Sequence, residues 1–309
     1  MRVIVTGAGG FIGWHLVDLL ARRGDTVQAW RRRSAPSDWE IPVDFAAIDM
    51  TDGAGVAAHL QDFAPDAVIH LAAQSFPNRS WEEPARTYEV NVLGTVNLLE
   101  AVRGLRRPPR VLVAGSSAEY AEPVDNQPIS ENAPTEPDSP YGASKVAVDH
   151  LVQLYGRRYD LDLIRFRPFF LIGPRKTGDV CSDFARRIVA IERGEADAMR
   201  VGALDVVRDF IDVRDGVAGI ARILDAGRRD EVYNVCGGVG VSIREILDAF
   251  RRLAQKPVDV VIDPTLIRPL DQKAKIGDGS KLRALGWRPS LSLDETLRSI
   301  LAYWRAKAG

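Results

Sequence analysis

The chain holds 309 residues, 46% hydrophobic and 27% charged, with Lys+Arg 41 against Asp+Glu 42 and a net charge of -1, the proportions of an ordinary globular protein. Such a length gives one large domain or two moderate ones with ample core, and the near-neutral balance gives no reason to expect a nucleic-acid partner or binding to an anionic membrane surface. No run of about 18 apolar residues is present to span a membrane, and the four histidines, His15, His59, His70 and His150, show no metal-ligand spacing, so no metal is expected.

Short Val- and Ile-rich runs without strict alternation predict strands buried on both faces at 2–6, 26–30, 43–48, 67–72, 110–114 and 161–165. Helices are expected between them at 11–23, 54–63, 82–104 and 142–159, and this alternation predicts an α/β fold with a parallel, doubly wound sheet. The pattern breaks after Arg167, where Pro168, Gly173 and Pro174 cluster. Beyond it a helix is expected near 182–193, a short strand at 231–236, and helices near 242–254 and 292–306. The chain reads as a doubly wound domain over 1–167, rejoined by about 206–230, with a smaller mixed α/β domain over 168–205 and 231–309. No tandem repeat interrupts it. No signal-peptide h-region precedes the first glycines, and Cys181 and Cys236 are unpatterned; both features predict a cytoplasmic, reducing environment.

The first strand runs into Gly7-Ala-Gly-Gly10-Phe-Ile-Gly13. Gly7 permits a tight turn, Gly10 lets backbone amides approach a pyrophosphate, and Gly13 lets the helix pack on the strand, with the phosphates at the positive helix N-terminus. At the first strand–helix junction of a βαβ pattern this spacing reads as the dinucleotide loop of a Rossmann sheet; without that context it is a bare glycine turn. The second strand ends in Trp30-Arg31-Arg32-Arg33-Ser34, where an NAD site places an acid for the ribose hydroxyls. Arginine forks match a 2′-phosphate. The expected cofactor is NADP(H), with NAD(H) the alternative if the turn is only a solvated basic one. Asp49 fits an acceptor for the adenine amino group, and Asp52 serves equally as a helix N-cap or turn residue.

Tyr141-Gly-Ala-Ser-Lys145 sets a phenol and an ammonium on one helix face. A phenol of pKa ~10 is a poor proton carrier at neutral pH, and a nearby cation favours its phenolate. Tyr303 and Lys307 repeat the spacing, where a surface helix explains it; Tyr141 instead follows Pro140 at a helix start, after the fifth strand. That strand ends in Gly115-Ser116-Ser117-Ala118-Glu119-Tyr120. Ligands of an open parallel sheet bind beyond the carboxyl ends of its strands, so Ser116 and Ser117 emerge where a hydroxyl can hydrogen-bond a substrate carbonyl. In isolation the two serines read as an ordinary turn.

Taken in this order, glycine loop, serines and Tyr-Lys pair make the chain resemble an extended short-chain dehydrogenase/reductase, of the group that modifies nucleotide-activated sugars. The resemblance covers essentially the whole length and includes His70-Leu-Ala-Ala73, Asn91-Val-Leu-Gly-Thr95, Arg208-Asp-Phe-Ile-Asp-Val213 and Arg268-Pro269. It implies a nucleotide-diphosphate sugar as substrate, with Ser116, Tyr141 and Lys145 catalytic and Asn91 supporting them. The cofactor would run along Gly7, Gly10, Phe11, Ile12, Gly13, Arg31, Arg32, Asp49, Met50, Leu71, Ala72 and Ala73 to reach Tyr141 and Lys145. Ser117 and Glu119 would face the substrate, and Arg208 and Arg268 would clamp its diphosphate. Taken alone, each arginine reads as a surface ion pair. The resemblance further implies a homodimer in which the amphipathic helices at 82–104 and 142–159 form a four-helix bundle.

Dehydratases of this group carry an acid two residues after the catalytic serine or threonine. Here that position is Ala118, which argues against a 4,6-dehydratase. The stretches at 115–120, 207–215 and 232–236 are most similar to the branch that reduces GDP-4-keto-6-deoxy-D-mannose to GDP-rhamnose, and the arginine turn suits an NADPH consumer. The implied reaction is hydride transfer from NADPH to C4 of the keto sugar, with Tyr141 donating the proton, Ser116 holding the oxygen and Lys145 tuning Tyr141 and fixing the nicotinamide ribose. The alternatives are a 4-epimerase with retained NAD(P), a 4,6-dehydratase, and a non-enzymatic dinucleotide sensor, against which the intact Tyr-Lys pair argues. One departure remains. Relatives carry a phosphate-contacting asparagine where this chain has Phe170, which has no donor; Arg208 and Arg268, or Arg175 and Lys176, are left to hold the phosphates.

Overall fold

The computed structural model describes residues 1–32, 39, 42–123, 127–266 and 274–308. Arg33, Ser34 and Arg268-Pro269 of the sequence motifs lie outside the described residues. From the N-terminus, β1 (Arg2–Thr6), α1 (Phe11–Arg22), β2 (Thr26–Arg31), β3 (Asp44–Ala47), α2 (Gly53–Phe63) and β4 (Ala67–His70) alternate. After α3 (Pro77–Glu82) and α4 (Pro84–Tyr88), a π-helical turn over Glu89–Leu93 leads into α5 (Gly94–Arg103) and β5 (Arg110–Ala114). A one-turn 3-10 helix, Ser117–Glu119, precedes α6 (Pro140–Tyr159) and β6 (Leu163–Pro168). The rest comprises β7 (Phe170–Ile172), α7 (Val180–Glu192), β8 (Ala198–Val201), β9 (Val207–Arg208), β10 (Phe210–Asp212), α8 (Val213–Ala226), β11 (Val232–Val235), β12 (Val241–Ser242), α9 (Ile243–Leu253), β13 (Asp259–Ile262), β14 (Ala274–Lys275), α10 (Ser280–Ala284) and α11 (Leu293–Ala308).

Seven strands form one sheet in the order β11-β6-β5-β4-β1-β2-β3, every pair parallel. The strand order reverses between β1 and β4, the switch point at which an open α/β sheet binds its ligand. Thr6 lies in register with both Trp30 and His70, so three strands end level there. The two faces are covered separately. Val3, Val5 and Leu112 pack against Leu16 and Leu20 of α1 and Val217 and Ile220 of α8. On the other face, Ile4, Val68 and Val111 meet Leu60 of α2, Leu98 of α5 and Val148 and Val152 of α6. A second core gathers Phe184 and Ile188 of α7, Met199 of β8, Ile246 and Phe250 of α9, and Leu297 and Ile300 of α11.

Several expected boundaries move, each for a local reason. The helix expected over 82–104 is interrupted, because Pro84 lacks the amide to continue α3 and restarts the chain as α4. The fourth strand stops at His70 rather than residue 72, since the Leu71 and Ala72 amides turn to the Thr6 hydroxyl at 3.2 and 3.1 Å. The sixth strand runs on to Pro168 because β11 pairs with it. That pairing also shifts the domain boundary expected at residue 231: Tyr233 and Val235 are buried in the first core, and the chain leaves the central sheet only after them. The reading over 206–230 did not specify α8, which Asp212 caps by accepting from the Arg214 amide at 2.8 Å.

Candidate active site

Gly7 takes φ 67, and the Gly10 amide donates to its carbonyl at 2.9 Å. A Cβ on Gly7 would lie 2.7 Å from the Ala72 amide nitrogen, and one on Gly13 would lie 2.4 Å from the Gly7 oxygen. Here β1, the end of β4 and α1 meet as bare backbone. Gly10 caps α1 without a side-chain bond, and no acid stands in the first turn, so its leading amides are open to an anion. Arg31, at the end of β2, lies against the same loop: its Cδ would be 3.0 Å from a Gly9 Cβ, and its guanidinium sits 4.6 Å over the Phe45 ring. Asp49 accepts from the Thr51 amide and hydroxyl at 3.0 and 2.8 Å, bonds that hold its carboxyl below the usual range. Asp52 takes the capping role, accepting from the Gly55 amide at 3.0 Å. Phe11, Ile12, Leu71, Ala72 and Ala73 are half-buried around this mouth, whereas Met50 is buried in the core, with its carbonyl on Asn97 at 2.8 Å.

A chain of hydrogen bonds runs beneath the loop, and its direction can be read. Thr6 Oγ1 accepts from two amides, so its own proton goes to His70 Nδ1 at 2.8 Å. His70 Nε2 then donates to Thr95 Oγ1 at 3.1 Å, and Thr95 donates to the Asn91 carbonyl at 2.6 Å. Burial pulls His70 down to about 3, with the Lys145 charge adding to it, so the ring stays neutral. The Asn91 side chain bonds the Gln74 backbone at 2.7 and 3.1 Å and Ser144 at 2.9 Å. It clamps the segment after β4 onto α6.

The reactive groups come from β5 and α6. Ser116 caps the one-turn helix, its Oγ accepting from the Ala118 amide at 3.1 Å. Ser139 caps α6 by accepting from the Gly142 amide at 3.2 Å. Gly142 is pressed so close that a Cβ there would lie 2.5 Å from the Ala118 carbonyl oxygen. That approach brings Tyr141 to Ser116, whose hydroxyl hydrogen-bonds the phenol. One turn on, Lys145 Nζ donates to the Ala114 carbonyl at 2.8 Å. Burial pushes the Tyr141 phenol up to about 12, with the Ser116 bond opposing, and pulls the Lys145 ammonium down to about 8, with Glu119 opposing. The expectation that Lys145 would favour the phenolate is therefore not met in this chain by itself: desolvation dominates, and Tyr141 holds its proton at neutral pH.

Glu119 corrects a second expectation. It does not face a substrate: it is 0% exposed, with Oε1 on the Ser116 amide at 2.7 Å and Oε2 on Arg167 Nε at 2.6 Å. Ser117 is buried beside it, its carbonyl accepting from Lys275 Nζ at 3.0 Å. Arg208 is held on β9, in register with Lys275 of β14. Its guanidinium lies 5.4 Å over the Phe170 ring, which pairs with Phe210 at 6.1 Å. Sequence reasoning passed over Arg167, Asp149 and Lys275. The available signal was two arginines, Arg165 and Arg167, inside an apolar strand with an acid on the preceding helix's inner face. Among the described residues no cluster fits a metal ion, and no helix is long and apolar enough to cross a membrane.

The family model described as GDP-mannose 4,6 dehydratase matches residues 4–300. The GDP-6-deoxy-D-mannose reductase of Pseudomonas aeruginosa is 33% identical over 310 residues, covering 99% of this chain and 98% of that one. Among solved structures, RMD from Pseudomonas aeruginosa complexed with NADPH superposes with TM-score 0.87 at 33% identity, and the Thermus thermophilus UDP-glucose 4-epimerase complex with NAD with TM-score 0.88 at 33% identity; each covers 99% of both chains.

Proposed function

The chain belongs to the GDP-mannose 4,6-dehydratase family of extended short-chain dehydrogenases/reductases, and we propose that within it the protein reduces the 4-keto group of a nucleotide-activated 6-deoxy sugar, with NADPH as reductant and GDP-4-keto-6-deoxy-D-mannose as the substrate to test. That it is an enzyme acting on nucleotide sugars with a nicotinamide dinucleotide follows from the family. The residues fit such a cofactor: the Gly7/Gly13 cradle would be filled by any Cβ, and the first amides of α1 are uncapped. When bound, the dinucleotide supplies the hydride.

The protonated Tyr141 carries the proposal. In the reductive direction Tyr141 gives its proton to the oxygen on C4, and Ser116 holds that oxygen by hydrogen bond. Lys145 supplies a positive charge one turn away and would hold the cofactor ribose. Asn91 keeps α6 seated. Elimination of water needs a further acid beside the sugar, and Ala118 has none to give, while both Glu119 oxygens are engaged. Arg31 and Arg32 stand where an NAD site has its acid, which supports NADPH over NADH. Arg208, seated on Phe170, would hold the substrate diphosphate, with Arg268 its proposed second clamp.

We also infer a homodimer through the helices of the 82–104 segment and α6, where Tyr88, Leu93, Leu154 and Tyr159 are exposed. Buried free thiols at Cys181 and Cys236 support a cytoplasmic setting. The test mixes the protein with the keto sugar nucleotide and follows the nicotinamide absorbance. Stoichiometric loss with NADPH, faster than with NADH, is the expected result, and Tyr141→Phe should abolish it. No loss, or a cofactor that copurifies and does not exchange, turns the reading to an epimerase.

A further inference from the structure

Two guanidinium groups, Arg165 and Arg167, lie on β6, a strand buried on both faces. An unpaired charge there would be very costly, and both are paired. Arg167, 4% exposed, donates through Nε to Glu119 Oε2 at 2.6 Å, and its Nη2 lies 3.2 Å from Asp149 Oδ2. Its Nη1 donates to the Tyr120 hydroxyl at 2.9 Å, and the guanidinium lies 4.7 Å over that ring.

The two carboxylates belong to different elements. Glu119 closes the one-turn helix that Ser116 caps, and its other oxygen holds the Ser116 amide at 2.7 Å. Gly115 is required there, since a Cβ would lie 2.3 Å from Glu119 Oε1. Asp149 sits on α6, one turn beyond Lys145 and two beyond Tyr141. A single planar fork thus joins the turn of one catalytic group to the helix of the others, a geometry that a point-charge ammonium cannot reproduce.

We propose that Arg167 is a positioning residue: by holding Glu119 and Asp149 together, it sets the register between the turn that carries Ser116 and the helix that carries Tyr141 and Lys145. The inference rests on the reading of Tyr141 as proton donor. Arg165 provides an internal contrast. It binds the same Asp149 oxygen at 3.0 Å, but its other partner is the Asp230 carbonyl at 2.6 Å, away from Ser116. The Glu119 charge also reaches the reactive groups, raising both Tyr141 and Lys145. Glu119 itself faces Arg167 from β6, Asp149, Tyr141 and Lys145 from α6, and the neighbouring Tyr120, which Glu131 also faces.

The experiment measures kcat against pH with NADPH and GDP-4-keto-6-deoxy-D-mannose, NADPH affinity by fluorescence, and the thermal midpoint. Arg167→Lys keeps a charge and loses the fork; turnover should fall about 100-fold, the loss typical of a 1 Å misplacement, with NADPH affinity unchanged. Glu119→Gln keeps an acceptor for the Ser116 amide and removes the charge, so the alkaline limb of kcat should move to lower pH. Arg165→Lys should lower the midpoint without either effect. The proposal is overturned if Arg167→Lys costs no more turnover than Arg165→Lys, or if Glu119→Gln leaves the alkaline limb in place. Should Arg167→Lys fail to fold, the turnover of Glu119→Gln decides, since that variant breaks the same ion pair from its other side; undiminished turnover there overturns the proposal. Tyr141→Phe separates the two levels: full turnover in that variant removes the proposed reaction, whereas an inactive Tyr141→Phe beside an ordinary Arg167→Lys removes only the positioning role.

Discussion

Gly13→Ala sets two physical effects against each other. Gly13 lies inside α1, where alanine is favoured over glycine by about 1 kcal/mol of helix propensity. Its added Cβ, however, would sit 2.4 Å from the Gly7 carbonyl oxygen and 2.8 Å from Ala8 Cα. Both contacts are backbone, in a turn that Gly7 closes at φ 67, so no rotamer change relieves them. The start of α1 must retreat by roughly 1 Å, and overpacking of this kind costs about 1–3 kcal/mol. The clash wins. Net of the propensity gain, stability should fall by up to about 2 kcal/mol, at most a few degrees in thermal midpoint for a chain of this size. The larger effect falls on the cofactor, because the displaced amides are those that would meet the pyrophosphate. Losing one charge-assisted hydrogen bond of about 1.5–3 kcal/mol weakens NADPH tenfold or more. Fluorescence titration of NADPH and a melting curve measure both quantities. Gly104→Ala at the end of α5 is the control, since its Cβ would make only ordinary contacts, at 3.5 and 3.6 Å, away from the glycine loop. Wild-type affinity and midpoint in Gly13→Ala would refute the reasoning.

Two further outcomes follow from the site and the helix surface. Lys145 loses its proton near pH 8 in the cofactor-free chain while Tyr141 keeps its own to about 12, so kcat/KM for reduction should decline as pH rises through about 8; a profile flat to about pH 9 removes Lys145 as the responsible group. Leu93 and Leu154 are 56% and 62% exposed on the proposed dimer face, so Leu93→Arg with Leu154→Arg should convert a dimer to a monomer by light scattering, and a wild-type monomer at micromolar concentration contradicts the bundle.

What could be read without coordinates was whatever a short stretch of chain decides by itself. The Val- and Ile-rich strands, the glycine turn and the starts of α1 and α6 depend on near neighbours, and they fall within a few residues of expectation. The Tyr-Lys spacing shows where this stops. Tyr303 and Lys307 on α11 have the same separation as Tyr141 and Lys145, and the local chain cannot tell them apart. The difference is made by Gly142 against Ala118 and by Ser80 Oγ accepting from the Tyr141 amide at 3.0 Å, contacts between segments far apart in the chain. Burial at that junction also reverses the predicted direction for Tyr141, because desolvation outweighs the Ser116 hydrogen bond and the Glu119 charge adds to the rise. Glu119 repeats the lesson. Next to two serines, an acid reads as a group offered to substrate, yet Arg167, 48 residues on, takes it under the turn. Charged residues within a strand otherwise buried on both faces must be paired, so Arg165 and Arg167 already imply buried acids nearby. The strand signals that a pairing exists, and only the fold identifies Glu119 and Asp149 as the partners. The catalytic types are therefore local in sequence, while their protonation and register are set by partners that the fold brings from elsewhere.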